Sequence, residues 1–126
     1  MQSKSLKIVA WNANGLIQRA LEIKQFLIDY NPDIVLISET HFTSKSYLSI
    51  PNYNIFHANH PSGRGHGGCA ILAKKCINCS ETLFYNYDFM QSTTIDVYRC
   101  TNRNWFNDNF CNLLPSSAYN IYRPIQ

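Results

Sequence analysis

Charge is scarce in this chain: 15% of its 126 residues are Asp, Glu, Lys or Arg, and the formal net charge is only +3. Such a mild balance permits an anionic partner without requiring one. Long apolar runs are also missing, since none approaches the roughly 20 residues needed to span a bilayer, and no basic, apolar leader opens the chain. The expectation is a soluble, intracellular protein with no membrane partner. Cysteine is present but uneven: five residues without a secretory leader suggest reduced thiols rather than a disulfide framework. Internal repeats and low-complexity linkers are absent too. What remains is a chain with 45% hydrophobic and 13% aromatic residues, long enough for one ordinary domain and able to bury roughly two thirds of its unfolded surface.

The strongest stretch is Asp33-Ile34-Val35-Leu36-Ile37-Ser38-Glu39-Thr40-His41. Its aliphatic run suits a strand buried on both faces. Ahead of it, Lys7-Ile8-Val9-Ala10-Trp11 reads as a shorter strand closed by the turn residues Asn12-Ala13-Asn14-Gly15. Between them, Ile17, Ala20, Leu21, Phe26 and Leu27, with Ile23 and Tyr30 beside them, keep largely to helical spacing. Asn31-Pro32 ends that helix, because proline removes a donor and biases its predecessor away from helical angles. Strand, helix and strand at this spacing form a βαβ unit with parallel strands. Asn12 and Glu39 then end strands at the same sheet edge, where ligands of open α/β sheets collect.

Further on, Tyr53-Asn54-Ile55-Phe56-His57 alternates like an edge strand, and the glycine-rich 61–68 segment leads into a strand at Cys69-Ala70-Ile71-Leu72-Ala73. Ile95-Asp96-Val97-Tyr98 and Tyr119-Asn120-Ile121-Tyr122 complete the predicted strands, and residues 99–112 show no clean period.

Glu39 at a strand end suits a hard divalent cation, which takes oxygen ligands from one or two carboxylates, phosphate and water. Asn12 beside it suits orientation of that carboxylate or a phosphate contact. From spacing alone, the plainer alternative is a solvated strand end beside a turn former. The 63–68 segment has neither the dinucleotide glycine pattern nor the lysine of a phosphate-binding loop, so it reads as a hairpin connection with no small-molecule cofactor. Its Arg64 and His66 can still touch a backbone phosphate. Cys76 and Cys79 have zinc-knuckle spacing, but without a second close pair they read as packing thiols. His57 and His60 read as surface residues.

Taken in order, Lys7 to Leu16, Pro32 to His41, Ile50-Pro51-Asn52-Tyr53, Gly67 to Leu72, Thr94 to Val97 and Ile121-Tyr122-Arg123-Pro124 resemble the endonuclease/exonuclease/phosphatase family, and in particular the endonuclease domains of jockey-like non-LTR retrotransposons. The resemblance implies an α/β (α+β) chain forming part of a four-layer α/β/β/α sandwich, and Mg²⁺ (or Mn²⁺)-dependent cleavage of a DNA phosphodiester, as in target-site nicking. It implies Glu39 as metal ligand, Asn12 as support for metal and phosphate, and Tyr122 as a contact to the scissile phosphate. Asn14, Thr40, His41 and Arg64 fall to DNA contact or support, and nuclear location follows if the domain serves retrotransposition. The family's Asp-x-Asn and Asp-His motifs follow that tyrosine, whereas Asp88, Asp96 and Asp108 precede it. Residues 1–126 therefore read as the amino-terminal half of the domain, inactive alone. The alternative is a non-catalytic remnant that binds protein or nucleic acid through open sheet edges.

Overall fold

The computed structural model describes residues 5–98 and the backbone of strand 117–124. In chain order these form β1 (Ile8–Asn12), a 3₁₀ turn (Ile17–Arg19), α1 (Ala20–Tyr30), β2 (Ile34–Ser38), β3 (Tyr53–Ala58), β4 (Cys69–Lys74), β5 (Cys79–Tyr87), β6 (Met90–Val97) and β7 (Ser117–Pro124). The expected βαβ unit is present: β1 and β2 are parallel neighbours, with Ile8 opposite Ile34 and Asn12 opposite Ser38. The first sheet runs β1-β2-β4-β3 and the second β5-β6-β7. The irregular 99–112 stretch lies outside the described residues.

Layering follows from the alternation of side chains along β2 and β4. Val35, Ile37, Ala70 and Leu72 face α1 and pack with Leu16, Ile23 and Leu27. Ile34, Ile71 and Ala73 face the second sheet and pack with Ile77, Ile95 and Val97. Burial on both faces is why β2 reads as a continuous aliphatic run rather than an alternating one. The chain is thus an α/β sandwich of helix, sheet and sheet. Its helix buries less than its composition promised. Ile23 and Leu27, four residues apart, reach the core, whereas Leu21 is 82% exposed, because two residues of helix turn it about 200° from Ile23. The helix ends where Asn31 takes a left-handed conformation, its N–H donating to Leu27 O, an αL cap that asparagine tolerates.

Tyr53 ties the far sheet edge to the helix-to-β2 junction. Its hydroxyl donates to Pro32 O at 2.6 Å. Burial first, then the Asp33 carboxylate and Cys76, push its pKa from 10.0 up to about 12. A raised folded-state pKa contributes stability that is fully present below the unfolded value and is lost as pH climbs from 10.0 through about 12. Stability is therefore expected to fall across that window, and more steeply than in Tyr53→Phe. Urea midpoints on either side of the window check this; equal alkaline slopes for the two proteins would contradict it.

Candidate active site

Parallel register brings the carboxyl ends of β1 and β2 level, and backbone hydrogen bonds then continue past the strands. Ala13 N donates to Ser38 O, Gly15 N to Glu39 O and Leu16 N to Thr40 O, each at 2.9 Å. The loop after β1 is zipped to the segment after β2. Across that zip, Asn12 Nδ2 donates to Glu39 Oε2 at 2.9 Å, and Asn12 Oδ1 accepts from Asn14 N at 3.1 Å. The second bond is an Asx turn, which fixes the amide so that its NH₂ faces the carboxylate. His41 Nε2 lies 3.4 Å from Glu39 Oε1, with both side chains largely shielded from solvent. Glu39 thus has its two oxygens addressed by different neighbours.

The segment carrying this carboxylate is strained. Glu39 and His41 have φ of 55° and 56°, left-handed values that cost a residue with a side chain about 1–2 kcal/mol each. Such conformations persist only where surroundings over-determine them. Here the surroundings are the zip on one side and the glycine pair on the other, since Thr40 N donates to Gly68 O at 3.3 Å and His41 N to Gly67 O at 2.9 Å. Thr40, between the two strained residues, is fully buried, and its Oγ1 has no hydrogen-bond partner. Gly68 stands directly against it: a Cβ there would lie 2.5 Å from Thr40 Oγ1, and its φ is +84°.

Arg64 is exposed in the connection between β3 and β4, which is the hairpin connection expected from the glycine pattern. The neighbouring Gly65 backbone lies against His41, its Cβ position being 3.0 Å from His41 O. Arg64 is therefore displayed near the same sheet edge as His41. Asn14, also left-handed with φ 48°, is exposed beside Asn12. The backbone of Tyr122 lies in β7 opposite Ser92, and its side chain is outside the described residues.

Several features escape a reading of the residues alone. His60, expected at the surface, is buried; its ring lies against that of His66, centroids 3.9 Å apart, and its Nδ1 is 2.9 Å from Ser62 Oγ. Gln91 is fully buried in β6 and reaches the glycine pair, donating nothing to it but accepting from Gly68 N at 3.0 Å. Among the described residues no three His, Cys, Asp or Glu gather around Cys76 and Cys79, and Cys100 and Cys111 lie outside the described residues.

Glu39 offers a hard, charged oxygen donor at a partly open edge, of the kind a Mg²⁺-sized cation takes while keeping several waters. The carboxylate present is compatible with such a metal. Asn12 is engaged as the hydrogen-bonding support of that carboxylate.

Residues 9–124 match the profile of the Endonuclease/Exonuclease/phosphatase family. The chain is 40% identical over 74 residues to the RNA-directed DNA polymerase from mobile element jockey of Drosophila melanogaster, covering 59% of this chain and 8% of that protein. A crystal structure of the Xenopus laevis APE2 catalytic domain superposes with a TM-score of 0.51 at 26% identity, over 62% of this chain and 27% of that one. A Neisseria 3′ phosphatase, NExo, solved bound to a product DNA hairpin, shares the fold at a TM-score of 0.52 and 18% identity, over 72% of this chain and 38% of that one. The chain thus spans under a tenth of the jockey protein and between 27% and 38% of these solved chains.

Proposed function

The chain belongs to the endonuclease/exonuclease/phosphatase family, and from that premise we propose that it supplies the metal-anchoring half of a retrotransposon-type DNA endonuclease. The observation that carries this reading is the hydrogen bond from Asn12 Nδ2 to Glu39 Oε2 at the carboxyl ends of two parallel strands. A bound Mg²⁺ or Mn²⁺ would polarise a phosphoryl oxygen and stabilise the charge that develops on it. Glu39 holds the metal, Asn12 keeps the carboxylate in one orientation, and His41 stands against its other oxygen. Asn14 and Arg64, both exposed, meet the DNA backbone; Thr40, fully buried, supports the segment from inside and does not reach DNA; and Tyr122 contacts the scissile phosphate. Target-site nicking places this work in the nucleus.

In-line displacement also needs a group that activates the attacking water and one that stabilises the leaving oxygen. Among the described residues, Glu39 and His41 gather no third His, Cys, Asp or Glu. Asp96 stands at the other end of β6 from Gln91, about 17 Å along the strand. We read residues 1–126 as acting together with further residues, so the chain by itself is expected to nick DNA little or not at all. Supercoiled plasmid incubated with the purified chain and Mg²⁺ tests this. Nicking that vanishes in Glu39→Ala would keep the Glu39 assignment and sink the claim of dependence on further residues.

One observation favours a second reading, binding without cleavage. Strand β1 is the outer strand of its sheet, and its Ile8 and Ala10 are exposed despite their apolar character. An open edge of this kind offers unpaired backbone groups to another chain. DNA retention that falls steeply with salt and ignores EDTA would support it.

A further inference from the structure

We propose that Gln91 is a positioning residue for the Glu39 carboxylate, acting from the second sheet through the Gly67-Gly68 pair. The proposal deepens the metal-anchoring reading and rests on it for the metal, though not for the geometry.

A glutamine between two sheets is costly unless both ends of its amide are satisfied. Gln91 meets that condition in one specific way. Its Oε1 accepts from Gly68 N at 3.0 Å, and its Nε2 donates to Tyr87 O at 2.7 Å. Tyr87 is the last residue of β5 and Met90 the first of β6, so the amide ties the β5–β6 turn to the glycine pair. The pair passes the constraint on, because Gly68 O accepts from Thr40 N and Gly67 O from His41 N. A hydrogen-bonded path thus runs from Gln91 to the backbone immediately after Glu39. Space enforces the same coupling: a Cβ on Gly67 would lie 2.6 Å from Gln91 Oε1. The amide oxygen fills the room that the absent Cβ leaves.

Strain gives this path its purpose. Glu39 and His41 hold left-handed φ values, and a segment in that state relaxes when a restraint is removed. Asn12 fixes the carboxylate at its oxygen; Gln91 fixes the peptide that carries it. Loss of Gln91's hydrogen bonds should therefore loosen the Thr40 and His41 amides and let the carboxylate wander, while leaving Asn12 and Glu39 chemically intact.

The test uses the full chain with Gln91→Met, which fills the same space without hydrogen bonds, and Gln91→Glu at about pH 6. A buried glutamate tends to hold its proton and then offers one O–H donor and one carbonyl acceptor, as the amide does. Ile95→Val, a conservative change in the same strand's core, controls for lost stability. Two quantities are read: amide hydrogen exchange at Thr40 and His41 without metal, and Mn²⁺ affinity. Gln91→Met is expected to speed exchange at both amides about tenfold and to weaken Mn²⁺ binding about tenfold, the lower range of such outer-layer changes. Gln91→Glu is expected to restore both, and Ile95→Val to leave both near wild type. If wild type binds no Mn²⁺ yet the exchange pattern holds, the positioning role stands and the metal reading falls. Unchanged exchange in Gln91→Met, or equal effects in Ile95→Val, overturns the proposal. Should Gln91→Met fail to fold, Gln91→Glu is read at about pH 6 and again at high pH: protection factors at Thr40 and His41 that hold at the lower pH and fall as the side chain ionises and loses its donor support the role, and protection that stays the same at both overturns it.

Discussion

Gly68→Ala should lower the free energy of unfolding by about 2–5 kcal/mol, which would make it among the most damaging single-methyl additions the chain can receive. The left-handed φ of +84° alone costs a residue with a Cβ about 1–2 kcal/mol. The new methyl would also lie 2.5 Å from the fully buried Thr40 Oγ1, and overpacking of this kind costs about 1–3 kcal/mol. The neighbour cannot retreat easily. Thr40 is pinned between Leu16 N, which donates to its carbonyl, and Gly68 O, which accepts from its amide. Removing the clashing atom should help, so Thr40→Ala in the Gly68→Ala background is expected to recover the overpacking part and not the backbone part. Thr40→Val alone should be close to neutral, since Thr40 Oγ1 has no hydrogen-bond partner to lose. Urea unfolding of the four proteins measures all of this. A Gly68→Ala chain as stable as wild type would mean that the glycine pair does not press on the strained segment.

Much of this architecture can be read from the residues because its first half obeys simple rules. The aliphatic run of β2, the breaker Asn31-Pro32 and the turn after β1 dictate a parallel βαβ unit, and that unit alone brings Asn12 beside Glu39. The second sheet is harder to see. Strand β5 carries Ser80, Thr82, Tyr85 and Asn86, largely exposed, and so has no apolar alternation to mark it. The start of β6 is buried yet polar, with Gln91, Ser92 and Thr93 where a core strand would normally show aliphatics. Only Ile95 and Val97 betray it, which is why the strand reads as beginning at Ile95 when it begins at Met90. Burial of a polar residue is decided by partners distant in sequence. Gly68 lies 23 positions from Gln91, and nothing local announces the bond. His60 is likewise buried with no apolar pattern to mark it. Helix α1 errs in the other direction, because its apolar residues exceed the width of the face that the sheet can cover.

Glu39→Gln is expected to abolish high-occupancy Mn²⁺ binding while leaving the fold in place. The substitution keeps the shape of the side chain and an oxygen to accept from Asn12 Nδ2, so the hydrogen bond at 2.9 Å has a counterpart. What it removes is charge, and a hard cation depends on a charged oxygen ligand more than on a neutral one. The loss should be at least as large as that from Asn12→Ala, which removes only the support of the ligand and is expected to weaken binding about 10–100-fold. The order of the two effects matters. A ligand role for Glu39 and a supporting role for Asn12 require the glutamate change to be the more severe, with unfolding midpoints little altered in Glu39→Gln. Titration of Mn²⁺ into the full chain, followed by the electron paramagnetic resonance signal of the free ion, measures both directly. The account predicts one saturable site in wild type, weakened in Asn12→Ala and gone in Glu39→Gln. Binding of equal strength in wild type and Glu39→Gln would contradict it.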